Sequence, residues 1–260
     1  MSETINIMSA QNKYIKQINL LKTKKERDKT KLFIAEGERL IDEIPSDWET
    51  EYIITSKSYF SLIDKKRILN KFQKSDIFTI TDELFRKISD TVTPQGILAV
   101  CKQKIFEKNI LFEKKNPFFL LLEKVCDPGN MGTLIRTADA AGVDGIFLSK
   151  GCVDLYNNKV IRATMGSIFH LPIIINCDFD NLITLLRKKN INIFAAHLKG
   201  NTLPYEIDLT KSCGLLIGNE ANGLSDKTSE KATSLIKIPM PGKAESMNAS
   251  IAGSIFIYEA

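Results

Sequence analysis

A chain of 260 residues, 43% hydrophobic and 26% charged, is long enough to bury one large core or two smaller ones, and its net charge of +5 is modest. No apolar run approaches the ~20 residues of a membrane-spanning helix. Met1 to Ala10 has neither the basic start nor the apolar run of a secretory signal, so a cytoplasmic protein without a membrane partner is expected.

Tyr14, Ile18 and Leu21 are spaced four and three apart, which predicts a short helix with one apolar face. Between Lys13 and Lys31, eight Lys and Arg residues stand against only Glu26 and Asp28. Such a run alone reads as a solvated helix end and loop; beside a domain that handles nucleic acid it reads as a surface for phosphates. Strands are predicted at Leu32 to Ala35, Glu51 to Thr55, Ile77 to Ile80 and Ile97 to Cys101. Helices are predicted around Leu40 to Ile44, at Ser58 to Leu69, and from a cap at Asp82 through Ile88. Residues 1–101 thus form an α/β module. Residues 102–116 are charged and lack sustained periodicity, which predicts a linker.

From residue 117 to 260 the pattern alternates again. Strands are predicted at Phe118 to Val125, Ile146 to Ser149, Pro172 to Ile175, Ile191 to Ala196, Leu215 to Gly218 and Leu235 to Ile238. Helical stretches lie between them at Met131 to Ala141, Asp154 to Met165, Asn181 to Lys189 and Ser225 to Ala232. The alternation predicts a parallel sheet with helices on both faces. Five cysteines (Cys101, Cys126, Cys152, Cys177, Cys213) lack a Cys-x-x-Cys pair and are joined only by His170 and His197, so no disulfide framework or structural zinc site is expected. Most of these thiols are expected to be buried and inert.

Three of the predicted strands run into Gly- or Pro-rich loops, as buried strands do where they open onto a ligand crevice. The loops are Asp127-Pro128-Gly129-Asn130-Met131-Gly132, Gly218-Asn219-Glu220-Ala221-Asn222-Gly223, and Ile238-Pro239-Met240-Pro241-Gly242 with Ser246-Met247-Asn248 after it. The first has neither Gly-x-Gly-x-x-Gly nor Gly-x-x-x-x-Gly-Lys-Ser/Thr, which disfavours a dinucleotide or P-loop site. Asn130 suits a helix cap. Arg136 is either a surface arginine or a fixed guanidinium able to hold an anionic group. Gly218 permits close backbone approach, whether to a ligand or within a tight turn. Ile238 precedes Pro239, which biases it to extended geometry and leaves its carbonyl free to accept a hydrogen bond. Singly, Glu220 reads as a solvated acid, Ser246 as the cap of the last helix and Asn248 as part of its first turn.

The three loops together resemble the three motifs of the SpoU branch of the SPOUT methyltransferases. The resemblance implies transfer of a methyl group from S-adenosylmethionine to a ribose 2′-hydroxyl of RNA, with Asn130, Arg136, Glu220, Ser246 and Asn248 as the catalytic residues. It assigns Gly218, Ile238 and Met247 to the cofactor; Met247 stands where many relatives have Leu, a soft apolar equivalent. It also implies a C-terminal trefoil knot, a fold feature otherwise almost absent from proteins, and a homodimer whose active site lies beside the partner subunit. The segment Phe33-Ile34-Ala35-Glu36-Gly37-Glu38-Arg39-Leu40 is similar to the ribosomal-protein-like substrate-binding domain that precedes such catalytic domains, which favours ribosomal RNA over tRNA. The rival expectation is a non-catalytic RNA-binding or ribosome-assembly protein of the same fold, to which a polar lining in the cofactor crevice would be of no use.

Overall fold

The computed structural model describes residues 5–62, 66–72 and 75–260, which divide into two compact units. The first takes in the chain up to Lys104 together with Tyr156–Phe169, and the second holds Ile105–Leu155 and His170–Ala260.

In the first unit, strands β1 (Ile5–Ile7), β2 (Leu32–Glu36), β3 (Thr50–Ser56), β4 (Asp76–Ile80) and β5 (Ile97–Lys102) form a mixed sheet in the order β1-β4-β3-β5-β2. β1, β4 and β3 run parallel, while β5 is antiparallel to both β3 and β2. Helix α1 (Lys13–Leu21) buries Ile15, Ile18 and Leu21 in the core under this sheet, and Tyr14 packs its ring on Tyr52 and Phe78. β1 was not legible in the sequence: three residues are too short for any periodicity, and Met1 to Thr4, part of the expected signal-free start, lie outside the described residues. Among the described residues no helix is long and apolar enough to cross a membrane.

The basic stretch is helical rather than a loop. Thr23 caps α2 (Lys24–Thr30) by accepting from the Glu26 N–H, and Lys31 ends it in the left-handed conformation at φ 57°. Arg27 is buried and donates from Nη1 to the carbonyls of Leu21 (2.8 Å) and Lys22 (2.9 Å), closing the C-terminus of α1. With Lys22, Lys24 and Lys29 paired to Asp90, Asp28 and Glu26, the cations left exposed and without an ion pair among the described residues are Lys13, Lys16, Lys25 and Lys31. The cluster therefore offers phosphates less than its count suggests, because its own fold uses half of it.

Further on, α3 (Glu38–Asp42) buries Leu40 and Ile41. The expected helix at Ser58 to Leu69 is found as α4 (Lys57–Ser61) and α5 (Lys66–Asn70), with residues 63–65 outside the described residues. α6 (Asp82–Ile88) is capped by Thr81, which accepts from the Leu84 N–H at 3.2 Å; Asp82, the expected cap, is its first helical residue. The segment Tyr156–Phe169 packs with this unit, with Tyr156 4.8 Å from the Phe33 ring centroid and Phe169 edge-on to Trp48 at 4.9 Å.

In the second unit, β6 (Phe118–Leu122), β7 (Gly145–Ser149), β8 (Ile173–Cys177), β9 (Asn192–Ala196), β10 (Cys213–Ile217) and β11 (Ser234–Ile236) form a fully parallel sheet. Their order is β11-β9-β10-β6-β7-β8. The central strands β6 and β10 read as unbroken apolar runs because both faces are covered. The charged stretch expected as a linker belongs from Ile105 onward to this unit and carries one short helix, α7 (Lys108–Leu111), which buries Leu111 with Phe119 in its core. Helix α8 (Pro128–Ala140) follows β6, α10 (Phe179–Lys188) precedes β9, α11 (Asp226–Ser229) is a single turn, and α12 (Ala249–Glu259) closes the chain, while α9 (Asn158–Thr164), shorter than its sequence pattern, belongs to the first unit. Gly253 lets α12 lie on α8, since a Cβ there would stand 2.5 Å from Leu134 Cδ2, and Thr137 and Ser254 join their hydroxyls at 3.0 Å beside it.

Of the five cysteines only Cys101 and Cys213 are buried, where burial pushes both thiols up to about 12. Cys152 and Cys177 are half-buried and Cys126 is exposed, against the expectation that most would be inert core thiols. Cys126 differs because it lies past the end of β6, in the loop that leads to α8.

Candidate active site

The loops after β6, β10 and β11 meet at the C-terminal edge of the parallel sheet, since neighbouring parallel strands end on the same side. Asp127 caps α8, accepting from the Asn130 N–H at 2.8 Å with Pro128 at the first helical position. Asn130 is therefore not the cap. It sits in the first turn, 8% exposed, with its carboxamide freed for other partners.

Those partners come from the other two loops. Asn130 Nδ2 donates to Glu220 Oε1 at 3.1 Å, and Asn130 Oδ1 accepts from Asn248 Nδ2 at 3.0 Å. One residue from each loop thus enters a single chain of hydrogen bonds. Asn248 also caps α12, its Oδ1 accepting from the N–H groups of Ser250 and Ile251 and from the Ser250 hydroxyl. The cap is Asn248 and not Ser246, which is exposed and without a hydrogen-bond partner among the described residues.

Glu220 is more than a solvated acid. Its Oε1 also accepts from the Asp127 N–H at 3.0 Å, and its Oε2 from the Cys126 N–H at 3.2 Å and Asn219 Nδ2 at 3.3 Å. Partial burial works to raise this carboxyl, but the bonds from Asn130 and the backbone N–H groups outweigh it and hold the group below the usual carboxylate range. An ionised carboxylate facing four donors fastens the β6 loop to the β10 loop.

A second carboxylate that sequence reasoning missed does the same from below. Glu123, 7% exposed at the end of β6, accepts from the Ser225 N–H (3.0 Å), the Ser225 hydroxyl (2.8 Å) and the Thr228 hydroxyl (2.9 Å). The signal was an acid closing an otherwise apolar strand. The β10 loop is so held from both ends, and within it Asn219 and Gly223 exchange backbone hydrogen bonds at 3.0 and 2.9 Å. A Cβ on Gly218 would stand 2.4 Å from the Gly223 carbonyl carbon and 2.5 Å from the Leu224 nitrogen. The glycine is thus required by the chain's own backbone. Gly200, on the loop after β9, was also missed: its Cβ would meet the backbone of Leu235 and Ile236 at 2.8 and 2.9 Å.

Ile238 and Met247 are half-buried, and their backbone N–H and C=O groups make no hydrogen bond among the described residues. Backbone donors and acceptors left open in this way suit the amino group and ring nitrogen of an adenine, so the residues present fit an adenosyl cofactor.

Arg136 stands apart from this network. It lies six residues after Asn130 on α8, which is about 9 Å along the axis and roughly 240° around it. Its side chain is exposed, with no ion pair or hydrogen bond among the described residues.

Comparison with known proteins places this geometry in context. Residues 117–258 match the model of the SpoU rRNA Methylase family, and residues 12–99 that of the MRM3-like substrate binding domain. The chain is 34% identical over 255 residues to the Bacillus subtilis 23S rRNA (guanosine(2553)-2′-O)-methyltransferase RlmP, covering 97% of each. It is 29% identical to the rRNA methyltransferase 3A, mitochondrial, of Danio rerio, over 95% of this chain and 68% of that one. The crystal structure of an AdoMet-bound rRNA methyltransferase from Sinorhizobium meliloti superposes with a TM-score of 0.89 at 30% identity, covering 98% of this chain and 97% of that one.

Proposed function

The chain belongs to the SpoU rRNA Methylase family, and on that premise we propose that it moves a methyl group from S-adenosylmethionine to a ribose 2′-hydroxyl of ribosomal RNA in the cytoplasm. The observation that carries this reading is the hydrogen-bonded chain Glu220–Asn130–Asn248, which ties the three loops into one polar wall beside the open backbone groups of Ile238 and Met247. A protein that only bound RNA would have no use for that wall. A relative matched over 97% of its length is named for a guanosine of 23S rRNA, which supports that RNA as substrate.

The bound cofactor supplies an electrophilic methyl on a positively charged sulfur. Gly218, Ile238 and Met247 hold the adenosyl part, the last two through backbone groups. Asn130 and Asn248 fix the loop geometry, and Ser246, exposed and without a hydrogen-bond partner among the described residues, is placed to meet substrate or cofactor. Glu220 acts as a clamp rather than as the base that takes the 2′-hydroxyl proton, because its lone pairs already face four donors. Arg136 cannot be the base either, with a guanidinium pKa above ~12, and acts by orienting an RNA phosphate or stabilising charge on the attacking oxygen.

Glu220→Gln should then weaken cofactor binding about tenfold, because an amide sets two N–H groups against donors and leaves them unpaired. Since the carboxyl is depressed, its contribution is fully present above the ordinary 4.5 and is lost only as pH falls below it. Calorimetry should show wild-type affinity flat across neutral pH; an ionisation of the carboxyl near neutrality would remove the clamp role.

The active form is a homodimer built on α12 and α8. Ile251, Ile255 and Tyr258 are 51%, 42% and 67% exposed on one face of a helix that is apolar around its whole circumference. A two-fold contact through this face also accounts for Arg136, which points away from Asn130 in its own copy and would serve the crevice of the second. Light scattering at micromolar concentration should give a dimer for the wild type, and Ile255→Asp should give a monomer that binds cofactor but methylates poorly. A fully active monomer would refute this arrangement.

The trefoil knot is supported by the strand order β11-β9-β10-β6, which makes the chain after β11 return past the β10 loop before α12 settles against β10 and α8. RNA affinity resides chiefly in residues 1–101, chemistry in residues 117–260, with 102–116 between them; the match of residues 12–99 to a substrate-binding domain supports this division.

A further inference from the structure

On the first unit, Lys22, Asp90, Asn157, Asn158, Lys159 and Arg162 line a cavity of about 320 Å³. We propose that this cavity binds the phosphodiester backbone of the substrate RNA, with Lys159 and Arg162 as its open cations and Asp90 as an internal stand-in for the phosphate. The proposal rests on the reading of the chain as an RNA methyltransferase and adds a site to it.

Three cations line the cavity against one carboxylate. Lys22, at the C-terminal end of α1, holds Asp90 Oδ1 at 2.9 Å, and Asn158 Nδ2 donates to Asp90 Oδ2. The Asp90 N–H donates to Glu36 Oε2 at 3.2 Å, which anchors the loop that carries it. Burial works to raise the Asp90 carboxyl, but Lys22 and Asn158 by hydrogen bonds, and Lys22 and Arg162 by charge, hold it below its usual range. Lys159 and Arg162, three apart on α9 and so on one face, make no ion pair or hydrogen bond to a described residue through their side chains. The Asn158 Oδ1 is buried without a hydrogen-bond partner among the described residues, so its carboxamide gains a bond if it meets a donor such as a ribose hydroxyl.

A solvated face would spread its cations over open surface; here two unpaired cations and two carboxamides surround a concavity whose third cation is already neutralised by a carboxylate. That arrangement is complementary to a phosphate flanked by hydroxyl groups. It also joins a residue at the end of α1 to residues more than a hundred positions later, which is why no sequence motif announced it.

The test is RNA binding by the full-length protein, read by fluorescence anisotropy with a 23S rRNA fragment across a salt titration. Arg162→Ala and Lys159→Ala should each raise Kd roughly tenfold and flatten the slope of log affinity against log salt by about 1, with melting temperature and S-adenosylmethionine affinity kept. Asp90→Asn gives the sharper result. If Asp90 stands in for phosphate, removing its charge tightens RNA binding several-fold; if it only anchors Lys22 and Asn158, the same change weakens binding. Unchanged affinity in Arg162→Ala, or weaker binding in Asp90→Asn, with normal wild-type binding, overturns this site alone. A wild-type protein that binds no RNA would instead overturn the methyltransferase reading.

Discussion

Arg136→Ala should lower methyl transfer to RNA by roughly a hundred- to a thousandfold while leaving S-adenosylmethionine affinity within about twofold. The side chain is exposed and has no partner within the described chain, so its removal leaves no buried group unsatisfied and no cavity behind. Stability should therefore be unchanged. Arg136 makes no hydrogen bond to the loops that carry Ile238 and Met247 among the described residues, which is why binding should survive. A group that orients a phosphate or stabilises charge on the attacking oxygen acts mainly in the transition state, so the loss appears in kcat. Lysine at this position keeps the charge but not the two-pronged geometry and should restore only part of the rate. Single-turnover kinetics with saturating cofactor would check this, and near-normal turnover in Arg136→Ala would reduce the residue to surface.

The other large effect is expected at Gly218. Valine there places a Cβ 2.4 Å from the Gly223 carbonyl carbon, a separation no pair of real atoms tolerates, so the β10 loop must shift. That loop carries Glu220, and its displacement breaks the four bonds that fasten it to the β6 loop as well as the exchange between Asn219 and Gly223. Cofactor binding should become undetectable by calorimetry. The melting temperature should fall by several degrees, as for a loss on the order of 1–3 kcal/mol. The glycine was expected to permit close approach of either a ligand or a tight turn, and its own chain at Gly223 and Leu224 occupies that space. Undiminished cofactor affinity in a folded Gly218→Val would contradict the placement of the crevice.

These two residues mark what the sequence could and could not tell. The alternation of strands and helices from Phe118 onward made the parallel sheet legible, because strands covered on both faces read as apolar runs such as Phe118 to Leu122. The three loops were legible because their glycines and prolines interrupt those runs. The wiring between them was not. Asp127 and Asn130 are both good caps, as are Ser246 and Asn248, and the choice between them depends on partners ninety or more residues away. Glu123 looked like the polar end of a strand, since nothing local reveals that Ser225 and Thr228 return to it. The run from Tyr156 to Phe169 looked like part of the second half of the chain. Which core an amphipathic segment joins is decided by packing, and its rings found Phe33 and Trp48. This has a practical consequence: deleting residues 1–101 would strip the cover from Tyr156 and Phe169, so single charge changes probe the division of labour more cleanly than truncation.

The central claim is a methyl group delivered from S-adenosylmethionine to a ribose oxygen of ribosomal RNA. The purified protein, incubated with methyl-labelled S-adenosylmethionine and either 23S rRNA or bulk tRNA, should label the 23S rRNA. Digestion to nucleosides and mass spectrometry should then recover the label as one 2′-O-methylated nucleoside, absent when the Arg136→Ala protein is used. Label on a base, label confined to tRNA, or cofactor binding with no transfer to any RNA would contradict the account.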